Sequence, residues 1–153
     1  MSATRTANVF SYSPLGLAMT KSFEGLRLTA YTDVAGVWTI GYGHTGPEVH
    51  AGLVWTQAEA DAGLLFDMAE DVACVNRAVT VAITQNKFDA LADFAFNAGR
   101  GAFLLSTLLR LLNAGDIAGA GAQFGLWVHA GGVVEPGLVR RRKAEATMFL
   151  FSN

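Results

Sequence analysis

Several features are scarce in this chain of 153 residues. It has one cysteine, Cys74, so an intramolecular disulfide and a thiolate metal cluster are both excluded. Apolar neighbours surround that thiol in the sequence, which indicates a packed core side chain. The three histidines do not follow a metal-binding spacing. We therefore expect no metal and no other cofactor.

Charge is also scarce, and it is unevenly distributed. Charged residues make up 16% of the chain, and the formal net charge is −2. No lysine or arginine occurs between Arg27 and Arg77, a stretch that is rich in Asp and Glu, whereas the chain from Arg100 onward is basic. We interpret the acidic residues as a solvated helix face. One short arginine run in an acidic protein is weak evidence for nucleic-acid binding, so no nucleic-acid partner is expected.

Long apolar segments are missing as well. The longest charge-free run, residues 117–134, contains Gln123, His129 and five glycines, and is too polar for a membrane-spanning helix. The first residues of the chain have no apolar core of the kind that a secretory signal needs. These observations predict a soluble protein that is made in the cytoplasm and has no stable membrane insertion.

Apolar periodicity and capping residues predict an α+β protein that is mainly helical. Residues 1–12 are expected to be a flexible lead-in, and Ser13-Pro14 to begin a helix. The Thr-rich, glycine-interrupted stretch 27–46 predicts a small β-sheet, and Thr56 with Glu59 forms a capping box. The predicted helices are residues 14–26, 56–76, 84–97, 103–113, 116–127 and 137–151. The core stripe of the helical part is predicted at Phe88, Leu91, Ala92, Ala95 and Phe96.

Two carboxylates and a hydroxyl occur in one short stretch. Glu24, Asp33 and Thr39 have the spacing E-x8-D-x5-T, with Glu24 near a helix end and the other two in the β-prone segment. Hydrolysis of a glycosidic bond uses one carboxylic acid to protonate the leaving oxygen, and a second carboxylate. Each residue alone has a simpler interpretation, since Glu24 can pair at a helix end and the others can form a turn. Their combination favours a glycosidase.

The chain resembles a known family at these residues. The segment Phe23-Glu24-Gly25 … Asp33 … Trp38-Thr39-Ile40-Gly41-Tyr42-Gly43-His44 is similar to the catalytic segment of phage-type lysozymes, glycoside hydrolase family 24. Downstream, the resemblance continues through Phe96-Asn97-x-Gly99 and Trp127-x-x-Ala130-Gly131-Gly132 … Gly137-Leu138-Val139-Arg140-Arg141-Arg142. It covers roughly residues 14–150 in family order, so it does not depend on one short motif.

The resemblance implies a two-lobed lysozyme-like fold with a small antiparallel sheet in its N-terminal lobe and a helical C-terminal lobe. Residues 13–153 would form one catalytic domain, with a small lobe at about 27–55, a connecting helix at about 56–76, and a helical lobe at about 77–153 that includes the first helix. The implied reaction is hydrolysis of the β-1,4 bond between N-acetylmuramic acid and N-acetylglucosamine in peptidoglycan.

The resemblance also implies roles for individual residues. Glu24 would be the general acid, Asp33 the second carboxylate and Thr39 its hydroxyl partner. The expected support of Glu24 comes from Arg141 or Arg142. The expected contacts to sugar are Thr45, Phe96 and Thr107. From the residues themselves, we expect His44 to be a structural histidine that pairs with an acidic residue of the following helix.

A hydroxyl beside the second carboxylate can hold an attacking water, so we predict hydrolysis with inversion. The resemblance implies a monomeric phage endolysin that stays in the host cytoplasm until a holin opens the inner membrane. Two alternatives stay open. One is a lytic transglycosylase acting on the same bond, which needs a single acid/base residue and no positioned water. The other is a catalytically silent protein that binds peptidoglycan or forms part of the virion.

Overall fold

The computed structural model describes residues 8–151 and divides into two compact units. We call Leu17–Ala69 the N-terminal unit, and residues 8–16 with 70–151 the C-terminal unit. The helices are α1 (Pro14–Phe23), α2 (Gln57–Ala78), α3 (Gln85–Ala98), α4 (Arg100–Leu105), α5 (Thr107–Asn113), α6 (Ile117–Gln123) and α7 (Pro136–Leu150). The strands are β1 (Arg27–Thr32), β2 (Trp38–Gly41), β3 (His44–Thr45), β4 (His129–Ala130) and β5 (Val133–Val134). Across residues 8–151, every helix is too short or too polar to cross a membrane.

The N-terminal unit contains the predicted small sheet. Its three strands are antiparallel in the order β1-β2-β3. Thr39 of β2 lies opposite Tyr31 of β1 on one side and Thr45 of β3 on the other. The register shifts along β1 between Arg27 and Tyr31, so the pairing is regular only near the β1–β2 turn. The expected fold class, mainly helical with a small antiparallel sheet, is confirmed.

Capping hydrogen bonds from local side chains mark the starts of α1 and α2. The Ser13 hydroxyl accepts a hydrogen bond from the Gly16 amide at 3.1 Å, at the start of α1. At α2, the Thr56 hydroxyl accepts from the Glu59 amide at 3.1 Å, and the Glu59 carboxylate accepts from the Thr56 amide at 3.2 Å. The capping box is therefore present as predicted. Helix α1 ends at Phe23, earlier than the predicted residue 26.

His44 is a structural histidine, as expected. Its side chain is 8% exposed and lies between two carboxylates. The Nδ1 atom is 2.8 Å from Asp67 of α2, and the Nε2 atom is 2.6 Å from Glu48. The partner on the following helix was predicted, whereas Glu48 was not. Burial lowers the pKa of His44, but the hydrogen bonds to Glu48 and Asp67 raise it more, and the net shift is upward.

The C-terminal unit is built around α3. Its predicted stripe lies in the core, because four of its five side chains are fully buried: Phe88, Leu91, Ala92 and Ala95. Phe96 is only half-buried, so it lies at the edge of that stripe. The neighbouring Phe94 packs edge-on against Phe103, Phe124 and Trp127 at ring-centroid distances of 5.4–6.4 Å. Cys74 is 4% exposed in this core, and burial raises the pKa of its thiol.

Three parts of the C-terminal unit differ from the prediction. The expected helix 116–127 ends at Gln123 and is followed by a 3₁₀ turn over Phe124–Leu126. The expected single helix 103–113 is interrupted at Ser106, whose amide donates to the Phe103 carbonyl and whose hydroxyl accepts from the Leu109 amide at 3.1 Å. Ser106 thus ends α4 and caps α5. The hairpin β4–β5 was not predicted at all, because its strands have only two residues each around a turn at Gly131 and Gly132.

Residues 8–12 are the part of the predicted lead-in that the structure describes. They pack against the C-terminal unit and do not form the expected flexible segment. The Asn8 side chain donates to the carbonyls of Val79 and Val81, and the Phe10 ring stacks on Phe88 with centroids 5.0 Å apart. These contacts attach residues 8–12 to the core of the C-terminal unit. The rest of the predicted lead-in, residues 1–7, lies outside the described residues.

The capping box provides a first test. Thr56→Ala removes the hydroxyl that accepts from the Glu59 amide, so the free energy of unfolding should fall by about 1 kcal/mol. Thr56→Ser keeps the acceptor and should stay within a few tenths of a kcal/mol of the wild type. Urea denaturation measures both variants. Equal stability of the alanine and serine variants would show that the cap does not contribute.

His44 provides a pH-dependent test. Because its pKa is raised on folding, its ion pairs stabilise the protein fully below the unfolded pKa of about 6.5, and this contribution is lost as the pH rises through the folded pKa. The free energy of unfolding of the wild type minus that of His44→Gln should therefore be larger at pH 5.5 than at pH 9. His50→Gln, which removes an exposed histidine, is the matched control. A difference that is constant with pH would contradict the assignment.

Candidate active site

Glu24 lies where α1 meets the sheet. It is the first residue after α1, and its amide still donates to the Thr20 carbonyl at 3.1 Å, as in a last helical turn. Strand β1 begins at Arg27, so only two residues separate Glu24 from the sheet. Its side chain is half-buried. The helix end therefore fixes the backbone of Glu24 next to the first strand of the N-terminal unit.

Asp33 lies in the turn that follows β1. Its Oδ1 atom accepts hydrogen bonds from the amides of Ala35 and Val37, each at 2.9 Å. The Asp33 backbone closes the same turn, with its amide donating to the Val37 carbonyl at 3.0 Å. Gly36 occupies the turn with φ of +80°, a conformation that favours glycine. One carboxylate oxygen is thus fixed by the backbone, and the residue as a whole is exposed.

Thr39 is held against the same turn. It lies in β2, is 4% exposed, and its hydroxyl donates to the Val37 carbonyl at 3.0 Å. That bond uses the single hydroxyl proton, which leaves the oxygen lone pairs as acceptors. Asp33 and Thr39 are therefore both bound to the backbone of Val37. The structure brings these two predicted residues together at one end of β1, and it places Glu24 just before the other end.

Arg141 and Arg142 are deeply buried in the C-terminal unit. On α7, they are 4% and 2% exposed. Arg141 donates from Nε and Nη2 to the two carboxylate oxygens of Asp93, at 3.0 and 2.9 Å. Arg142 donates from Nη1 to the Glu145 carboxylate at 2.5 and 2.6 Å, and from Nε to the Trp127 carbonyl at 3.0 Å. Both arginines therefore have buried carboxyl partners, and neither pairing was predicted from the sequence.

The carboxyl group of Glu145 has a strongly raised pKa. It is fully buried, and its carboxyl lies close to Asp93 as well as to Arg142. Burial, together with the neighbouring Asp93 carboxylate, raises the pKa of Glu145 to about 10 despite the Arg142 guanidinium. The support of Glu24 by Arg141 or Arg142 stays a prediction.

The predicted sugar contacts lie in different parts of the chain. Thr45 is exposed on β3 of the N-terminal unit, in register with Thr39. Phe96 is half-buried on α3, and Thr107 is the exposed first residue of α5. The latter two belong to the C-terminal unit. Their roles in binding sugar stay predictions.

Along most of its length, the chain is similar in sequence to phage endolysins. An endolysin of Acyrthosiphon pisum secondary endosymbiont phage 1 is 45% identical over 141 residues, which cover 90% of this chain and 96% of that protein. An endolysin of Bacillus phage B103 is 46% identical over 140 residues, but the chain spans only 53% of that longer protein. A SAR-endolysin of Enterobacteria phage PA-2 is 38% identical over 149 residues, covering 97% of this chain and 88% of that protein.

Solved structures have the same fold. The endolysin from Escherichia coli O157:H7 phage FAHEc1 superposes with a TM-score of 0.86 at 38% identity, over 95% of this chain and 96% of that one. The muramidase domain of SpmX from Asticaccaulis excentricus superposes with a TM-score of 0.85 at 40% identity, over 94% of this chain and 100% of that one. The phage lysozyme family matches residues 21–145, which include Glu24, Asp33 and Thr39. This chain belongs to the phage lysozyme family.

Proposed function

We propose that this protein is a muramidase that hydrolyses the β-1,4 bond between N-acetylmuramic acid and N-acetylglucosamine in peptidoglycan, as an endolysin in phage-induced host lysis. The observation that carries this proposal is the attachment of Asp33 and Thr39 to the backbone of Val37. It holds a carboxylate in the turn after β1 and a hydroxyl on the adjoining strand β2 against the same backbone residue, and such a pair can activate a water molecule. Membership of the phage lysozyme family and the muramidase domain among the structural neighbours support the same activity.

In the proposed reaction, Glu24 acts as the general acid. Its carboxyl proton moves to the glycosidic oxygen as the bond from that oxygen to the anomeric carbon breaks. Positive charge develops on the sugar ring at this stage, and a carboxylate nearby stabilises it. Glu24 is half-buried, so part of the residue is accessible to a substrate.

Asp33 and Thr39 act on the water. Because the Asp33 Oδ1 atom is bound by two amides, the other oxygen, Oδ2, is the one that we assign to the water. The water donates one hydrogen bond to Asp33 and the other to the Thr39 hydroxyl oxygen, whose own proton is used by the Val37 carbonyl. Asp33 takes a proton from this water as its oxygen attacks the anomeric carbon. This arrangement gives inversion of configuration.

A lytic transglycosylase is the second candidate for the same bond. In that reaction a sugar hydroxyl attacks the anomeric carbon, so an anhydro product forms without water. One acid/base residue is enough for that route, and a second carboxylate fixed next to a hydroxyl has no use in it. The Asp33–Thr39 pair therefore favours hydrolysis.

The remaining site residues keep their predicted roles within this proposal. The guanidinium of one of the two α7 arginines, Arg141 or Arg142, supports Glu24. Asp93 takes two of the five Arg141 N–H groups, which fixes the plane of that guanidinium. We assign Thr45, Phe96 and Thr107 to the binding of sugar.

The site of action is the cell wall. Release from the host cytoplasm by a holin is part of the proposal, with the protein acting as a monomer. The similarity to a SAR-endolysin favours an alternative in which this protein reaches the wall without a holin. The cloned protein can be expressed in cells that lack a holin gene. Lysis of these cells would support the route without a holin, and absence of lysis would support release by a holin.

The activity is tested by digesting purified peptidoglycan with the wild type, Glu24→Gln and Asp33→Asn, and by mass spectrometry of the fragments. The wild type should release fragments with reducing N-acetylmuramic acid ends. Each variant should be slower by about 100-fold or more, because it removes a group that transfers a proton. Glu70→Gln, which changes an exposed carboxylate of α2, is the matched control.

Three outcomes would contradict the proposal. Anhydro ends would identify a transglycosylase. Unchanged activity of Glu24→Gln would mean that another residue is the acid. Absence of cleavage by the wild type would leave a protein that binds the wall without cutting it.

A further inference from the structure

The N-terminal unit contains a cavity that the proposed reaction does not use. Its volume is about 380 Å³. None of Glu24, Asp33 and Thr39 lines it. Its lining residues come from β3, the segment after it and the first turns of α2: His44, Glu48, Trp55, Glu59, Ala62, Gly63 and Phe66. Most of this lining is aromatic or apolar, with carboxylates at two positions.

Two aromatic rings form the apolar part of the cavity. The Trp55 indole is half-buried and packs against two glycines, because a Cβ atom at Gly41 or Gly63 would lie only 2.9 or 2.8 Å from the ring. Phe66 differs, since it is 74% exposed on α2 and belongs to no buried cluster in the part of the chain described. The core therefore does not require a phenylalanine at position 66. The Phe66 ring lies edge-on to the His44 ring with centroids 6.4 Å apart, and its exposed face is available to a ligand in the cavity.

The charge around this cavity has one sign. Glu48 and Glu59 line it, and no lysine or arginine is among the lining residues. Residues 28–76 contain no lysine or arginine at all. Among the lining residues, His44 is the one that can carry a positive charge, and its ring is already bound by Glu48 and Asp67. Even with His44 protonated, the carboxylates outnumber it, so the cavity presents negative charge to a ligand.

We propose that this cavity binds a primary ammonium on an aliphatic chain. An ammonium is attracted to the face of Trp55 or Phe66 and to the carboxylates of Glu48 and Glu59. Its methylene groups pack against the apolar wall at Ala62 and Gly63. As the source of this group we assign the free amine of the diamino acid in the wall's peptides, an assignment that rests on the proposed function. The cavity would then hold the wall by its peptide while the glycan is cut elsewhere.

The binding is tested without any catalysis, by NMR titration with Nα-acetyl-lysine methylamide. Its neutral counterpart, Nα-acetyl-norleucine methylamide, has no ammonium. The lysine compound should give saturable shifts at the amides of the cavity residues, and the neutral compound should bind at least about fivefold more weakly. Equal binding of the two compounds, or shifts that lie outside the cavity, would overturn the proposal.

Two variants locate the binding groups. Phe66→Leu removes an exposed ring, and Glu59→Gln removes a charge while keeping the capping box, which accepts glutamine at this position. Each should weaken binding of the lysine compound by about threefold or more. Phe151→Leu is the matched control, because Phe151 is 59% exposed and lies in the C-terminal unit. Unchanged affinity in both cavity variants would contradict the assignment.

The source of the amine is tested with the wall itself. Glu24→Gln should be retained by purified peptidoglycan, and acetylation of the wall amines should reduce that retention by about threefold or more. In Glu24→Gln combined with Phe66→Leu, acetylation should reduce the retention by a smaller factor than in Glu24→Gln alone. Binding of the lysine compound with no effect of acetylation would refute the wall peptide as the source. If Glu24→Gln still cuts, the catalytic assignment fails, while the titration result for the cavity stands.

Discussion

The proposed chemistry depends on the backbone of one residue, Val37. Its N–H group orients the Asp33 carboxylate, and its carbonyl accepts from the Thr39 hydroxyl. Both bonds exist only if the turn after β1 has its observed form, with Thr32 opposite Trp38 in the sheet. A slip of one residue would turn Thr39 to the other face of β2 and separate it from Asp33. The strand register is thus a condition for the site as well as for the fold.

A second constraint acts in the C-terminal unit, where charged groups are buried. Helix α7 carries Arg141, Arg142 and Glu145 into the interior, and α3 supplies Asp93. Burial of charge is costly unless each group is paired, and here Arg141 is bound to the Asp93 carboxylate and Arg142 to the Glu145 carboxyl group. The Arg142 guanidinium also lies 4.9 Å from the centre of the Phe94 ring. Because such pairs have strict geometry, they fix how α7 packs on α3.

The parts of the molecule that depend on neighbouring residues could be predicted from the sequence. The capping box at Thr56 is an example, as is the helix that it begins. The pairing of His44 with α2 was predictable from residue type, although Glu48 was not. Asp93 could not be found, because its partner Arg141 lies on another helix and no local pattern marks the pair. Glu145 lies three residues after Arg142 on the same helix, a spacing at which helical side chains meet, so this pairing was visible in the sequence. For Asp93, the one available signal was the combination of adjacent arginines on α7 with an acidic residue on α3.

The central claim is that Asp33 and Thr39 activate a water molecule rather than attack the sugar directly. The configuration of the newly formed reducing end tests this most directly, by proton NMR of a peptidoglycan fragment early in digestion, before the anomers equilibrate. The account predicts that the α-anomer of N-acetylmuramic acid appears first, because a water attacks from the face opposite the β-linked leaving group. First appearance of the β-anomer would mean that Asp33 forms a covalent intermediate, and would contradict the account.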